Sequence, residues 1–199
     1  MKQNIKFSEW LRRTVNIFLL GCIWFLCSLP IFTIGASTCA LNSCMKNEIH
    51  HLQQNIIKDY FSLFKKYFKT ATLLWVIHLV AIIIAIFEFI YYQKRTGLID
   101  TIGMVTMLTL TILISENAIL CFICIPEITK ASIRKTIKSA IEMGSASPLR
   151  AFSILLITCL IPLSAFLLEP ALTPFSFGLA SWLAWQIIPN ILQKHQPAV

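Results

Sequence analysis

Charge is scarce in this chain. Only 13% of its 199 residues are Asp, Glu, Lys or Arg, and nine acidic groups face 17 basic ones. A soluble domain carries about 25% charge, so a water-soluble fold of this size is excluded. Glycine is nearly as sparse: the six glycines never form G-x-G-x-x-G, and G-x-x-x-x-G-K-[ST] does not occur. Without either, no phosphate-cradling loop is available and ATPase chemistry is excluded. H-E-x-x-H and G-x-S-x-G are also missing, which argues against a hydrolase. No Gly/Ser-rich linker, low-complexity tract or fixed-period repeat divides the sequence. Residues 1–199 therefore read as a single integral membrane domain.

What the chain has instead is apolar length: 57% of residues are hydrophobic and the mean hydropathy is +0.74. Ala71–Tyr91 is a clear apolar run whose 21 residues would rise ~31 Å as a helix, enough for the hydrocarbon core. Further runs cover 101–125, 151–168 and 171–192, the last two joined by Glu169 and Pro170 as a helical hairpin. Upstream, a span of about 9–29 meets Pro30, which breaks helical hydrogen bonding and restricts Leu29. The return arm 31–45 is expected to be extended over Ile31–Gly35 and then helical, with small residues that permit close packing. The expected fold is an all-α membrane protein, a bundle of five to six transmembrane segments.

Two basic segments differ from the spans. Residues 48–70 place Ile49, Leu52, Ile56, Tyr60, Leu63, Phe64, Tyr67 and Phe68 at helical spacing, with Lys58, Lys65, Lys66 and Lys69 beside them. Residues 126–142 repeat the pattern, with Pro126 suited to a first helical turn and Lys130, Arg134 and Lys138 in an i, i+4 stripe. Both are expected to be interfacial amphipathic helices that bind anionic lipid or a partner's cytoplasmic face. The basic excess punctuates spans rather than forming a soluble patch, which argues against nucleic acid.

Charge also sets orientation. If the N-terminal segment crosses once, 11 Lys/Arg lie on one side and 6 on the other; if it returns, the division is 15 against 2. The positive-inside rule favours the return, and puts both basic segments and the C-terminus in the cytoplasm.

Intramembrane polar residues are the remaining candidates. Glu116 lies close to the middle of the 101–125 run, where a charged carboxylate costs ~2.5–3.5 kcal/mol. It should face the bundle and have a partner. His78 falls at similar depth on the preceding span, so a Glu116–His78 contact is expected. Such a pair either fixes packing or relays a proton or cation. Cys121 and Cys124 have C-x-x-C spacing but lack a second pair or a βαβ context, and read as buried thiols. All seven cysteines lie in or beside apolar segments, so a disulfide framework is not expected. His50-His51 has no i, i+4 partner and reads as surface. Neither cofactor nor metal is expected. Pro162, Pro174 and Pro189 are expected to bend helices.

The string from Trp24 to Leu41 carries Trp24, Ser28-Leu29-Pro30, Thr33, Gly35-Ala36 and Ala40-Leu41. It resembles the signature of the YesL-like family of bacterial membrane proteins of unknown function. The likeness extends through FSLFKKYFKTATLLW, TIKSAIEMGSASPLRAFSILL and GLASWLAWQIIPNIL. One departure is Gly21, where the family often has Asn. The resemblance implies a bacterial cytoplasmic-membrane protein, in a family often encoded near carbohydrate uptake and sensing systems. On that basis the chain is expected to be a non-enzymatic accessory or regulatory protein of such a system, associating with a transporter permease or membrane sensor. The alternative is a small carrier or channel using Glu116 and His78.

Overall fold

In the computed structural model, residues 2–49, 55–93, 97–127 and 132–187 are described, and every regular element among them is helical. The helices are α1 (Lys2–Ser28), α2 (Ile34–Ile49), α3 (Ile56–Gln93), α4 (Leu98–Cys124), α5 (Ile133–Ala146), α6 (Pro148–Leu168) and α7 (Thr173–Ile187). Four of them are long and apolar enough to cross a bilayer: α1 from Trp10, α3, α4 and α6. This marks the chain as a membrane protein. The expectation of five to six spans is not met by helix length. α2 has 16 residues and α7 has 15 among those described, whereas a span takes about 20. Residues 188–192 of the last expected span lie outside the described residues.

Pro30 does break the first segment. Ile31–Thr33, expected to be extended, form a 3-10 turn, and helix resumes at Ile34. α2 then runs back along α1. Trp24 Nε1 donates to Thr38 Oγ1 (3.1 Å) near the turn, and Asn16 Nδ2 donates to Glu48 Oε2 (3.2 Å) at the far end. Those two pairings fix an antiparallel hairpin.

α2 is the central helix. It touches α1, α3, α4 and α7, and Gly35, Ala36, Ser37, Cys39, Ala40, Ser43 and Cys44 are all buried. Small side chains let four neighbours approach one backbone. Gly35 meets α3 closely: a Cβ there would lie 2.6 Å from both the Ala71 carbonyl oxygen and Trp75 Cβ. A second close crossing joins α1 to α7. A Cβ on Gly21 would collide with the Pro174 carbonyl, and one on Gly178 with the Ile17 carbonyl.

The first basic segment is not a separate interfacial helix. α3 runs unbroken through it into the apolar run, 38 residues or ~57 Å in all. No glycine or proline lies between Ile56 and Gln93 to interrupt it, and Asn55 Oδ1 accepts the Lys58 N–H at its start. Its apolar face meets protein: Tyr60 and Tyr67 are buried, and Leu63 and Phe64 pack on the core. Lys58, Lys65, Lys66 and Lys69 remain exposed.

The second basic segment is a distinct helix, but it starts at Ile133 behind Ser132. Pro126 lies in a 3-10 turn that closes α4 rather than in the first turn of α5. Thr136, Ala140 and Met143 are buried on the inner face of α5, with Ile137 packed beside them. Arg134, Lys135 and Lys138 are exposed, and Lys130 lies outside the described residues. Pro162 sits inside α6. Pro174 occupies the first turn of α7, where it breaks no helical bond. Pro189 lies outside the described residues.

Candidate functional site

The motif residues build the hairpin turn. Thr33 Oγ1 lies 2.6 Å from both the Cys27 and Pro30 carbonyls, pinning the chain where helical bonding stops. Trp75 Nε1 donates to the Ile31 carbonyl at 2.8 Å, so α3 also holds the turn. The Trp24 ring lies 4.0 Å from that of Phe177 on α7, while its indole N–H is bonded to Thr38. Gly35 and Ala36 supply the close approach to α3. Ser28 Oγ is buried without a hydrogen-bond partner, and Leu29 is exposed at the tip. The contacts of Trp24, Thr33, Gly35 and Ala36 hold the turn and its neighbours together.

A second polar set lies at the other end of the hairpin. Glu48 is 2% exposed, a depth at which a lone carboxylate is expensive. Its Oε2 accepts from Asn16, and its Oε1 lies 3.9 Å from the Arg12 guanidinium with no hydrogen bond. Ser181 Oγ donates to Asn42 Oδ1 at 2.7 Å, tying α7 to α2. Lys46 Nζ stands 5.8 Å over the Trp185 ring, within cation–π range. Sequence reasoning missed Asn16, Asn42, Glu48 and Ser181. The available signal was Asn42, Ser43 and Glu48 along an otherwise small, apolar helix, a pattern that calls for partners inside the bundle.

The intramembrane candidates are brought together, but not as expected. His78 is buried, and its partner on α4 is Asn117 rather than Glu116: Nε2 lies 3.2 Å from Asn117 Oδ1. His78 Nδ1 donates to the Leu74 carbonyl at 2.8 Å. With Nδ1 protonated, the contact to Asn117 is completed in one of two ways: an imidazolium, or an amide rotated to present its NH2. Helical geometry explains the change of partner. Adjacent residues point about 100° apart, so Asn117 and Glu116 cannot both face one imidazole.

Glu116 turns instead into a cavity of about 540 Å³ between α3, α4, α5 and the start of α6, which His78 and Asn117 also line. No described residue forms an ion pair or hydrogen bond with Glu116. The floor of the cavity is the inner face of α5, through Ile137, Ala140 and Gly144. Cys121 and Cys124 are buried in the core beside it, and His50-His51 lies outside the described residues.

Residues 17–89 match the family described as protein of unknown function, DUF624. YesL-like members belong to that family. The DUF624 segment is less than half of the chain. It holds the second part of α1, the Pro30 turn, α2 and most of α3, and thus the turn of the hairpin and its clasp by Trp75, while Arg12 and Asn16 fall outside. His78 falls inside it, while Asn117, Glu116 and α5 fall outside. No curated protein and no solved structure matches the chain.

Proposed function

We propose that this chain is a non-enzymatic accessory or regulatory protein of the bacterial cytoplasmic membrane, with its basic end and C-terminus on the cytoplasmic side. One observation carries the reading: four polar pairs inside the bundle are spent on helix-to-helix clasps, while basic side chains of α3 and α5 lie at the surface. Asn42–Ser181, Trp24–Thr38, Asn16–Glu48 and His78–Asn117 each join two helices. Lys58, Lys65, Lys66 and Lys69 on α3, with Arg134 and Lys138 on α5, remain exposed. Both sets belong to one region, since Ile133 and Ile137 of α5 pack on the cluster containing Tyr67 and Ala71. Such a surface suits anionic headgroups, at ~1 kcal/mol per cation near the surface. It equally suits the acidic cytoplasmic face of a permease or sensor.

The link to carbohydrate uptake or sensing rests on the YesL-like resemblance alone. Native-membrane co-purification tests it. An identified sugar permease or sensor, lost when Lys65, Lys66 and Lys69 are changed to Glu, supports the reading. Ion or solute flux through the purified chain in liposomes, abolished by Glu116→Gln, would replace it with a small carrier. The cavity that holds Glu116 and His78 is the observation favouring that second reading.

A further inference from the structure

The cavity against the inner face of α5 contains a carboxylate with which no described residue forms an ion pair or hydrogen bond. Its volume, about 540 Å³, falls within the ~300–1,000 Å³ typical of small-molecule sites. Apolar side chains dominate its lining, among them Ile77, Leu113, Ile114 and Ile141. Its polar groups are few. His78 and Asn117 are engaged with each other and Ser145 Oγ donates to the Glu142 carbonyl, which leaves Glu116. We propose that this cavity binds a soluble amphipathic organic cation, an ammonium or extended iminium on an apolar body, with the charge against Glu116.

Charge and donor count exclude the other occupants. An anionic ligand would meet a like charge in an apolar setting. A bare divalent metal needs six or more oxygen ligands, or a set of His, Cys and carboxylate donors; the lining offers one carboxylate, and no metal-binding group of three exists among the described residues. A neutral acyl chain would fill the volume and leave Glu116 unpaired in a drier site. A phospholipid amine brings its phosphate beside the carboxylate, so a cation without an adjoining anion fits better. The proposal goes beyond the accessory reading and does not depend on it.

Gly144 supplies a way to close the site. A Cβ there would stand 3.2 Å from Leu120 Cδ1 and 3.7 Å from Glu116 Oε1, so a longer side chain must enter the cavity.

The test is fluorescence polarisation of rhodamine 6G on the purified full chain in dodecyl maltoside, with empty micelles subtracted. Saturable binding is expected, weakened at least about tenfold by Glu116→Gln and abolished by Gly144→Leu. Cys159→Ser, on the exposed surface of α6, should bind as wild type. Glu116→Asp keeps a carboxylate one methylene shorter and should bind with intermediate affinity, which preserves the test if the Gln variant fails to fold. Unchanged affinity in folded Glu116→Gln overturns the proposal, as does unchanged binding in Gly144→Leu. Equal affinity for the neutral probe N-phenyl-1-naphthylamine would make the cavity an acyl-chain groove. Displacement of the dye by phosphatidylethanolamine as potent as by a soluble alkylammonium would also overturn the assignment.

Discussion

Removing the Arg12 guanidinium tests how the buried Glu48 is tolerated. Glu48 Oε1 has no hydrogen bond and lies 3.9 Å from the Arg12 guanidinium, while Oε2 keeps Asn16. Stripping one partner from a fully buried ion pair costs ~3–5 kcal/mol. Here the Arg12 side chain is 50% exposed, so water screens the pair and the loss falls to about 1–2 kcal/mol. For a chain of this size, 1 kcal/mol moves Tm by ~2–4 °C, so Arg12→Ala should lower it by about 2–8 °C. The informative comparison is the double variant Arg12→Ala/Glu48→Gln. A neutral amide removes the stranded charge and still accepts from Asn16, so the double should melt above Arg12→Ala. Thermal unfolding in detergent with a thiol-reactive fluorophore reads this directly, because Cys39, Cys44 and Cys121 are fully buried. The exposed Cys159 would be replaced by Ser in every variant. A double variant melting at or below the single would refute the reasoning, as would an unchanged Tm in Arg12→Ala.

The same assay separates three other interactions. Gly178→Leu should cost more than the ~1–3 kcal/mol usual for overpacking, because its Cβ would strike the Ile17 backbone carbonyl; a Tm within 2 °C of wild type would show that α1 and α7 do not cross there. Asn117→Leu should destabilise by about 0.6–1.7 kcal/mol, the range for hydrogen bonds between membrane helices, whereas Glu116→Gln should leave Tm unchanged or raise it; the reverse ranking would restore Glu116 as the partner of His78. Trp24→Phe keeps a ring against Phe177 and loses the bond to Thr38, so a loss of about 0.5–1.5 kcal/mol is expected, and Thr38→Val should add nothing further to it.

The helical content and the break at Pro30 are legible because long apolar runs and a lone proline act locally. Depth is also legible: placing Glu116 and His78 at one level put them on the walls of one cavity. The step from level to contact failed, because sequence distance along two helices does not give rotation about either axis, and Asn117 took the face expected of Glu116. The amphipathic pattern of 48–70 is one-sided, and on sequence alone its apolar face is open to anionic lipid or a partner's cytoplasmic face. Periodicity shows that a face is apolar, not what covers it, and here α2 and α5 cover it. Glu48 escaped notice because its environment comes from Arg12 and Asn16, more than thirty positions upstream, and from the burial of α2 at the centre. Gly21, a departure from the YesL-like pattern, takes its meaning only from Gly178 and Pro174 across the α1–α7 crossing.

The central proposal is that the returning hairpin of α1 and α2 has its open end, with the start of α3, on the cytoplasmic side. Single cysteines at Gln3 and Lys58, on a background with the native cysteines replaced, test it most directly with a membrane-impermeant maleimide. Both positions should resist labelling in intact cells and react once the membrane is permeabilised. Labelling of Gln3→Cys from outside, while Lys58→Cys reacts only from within, would contradict it.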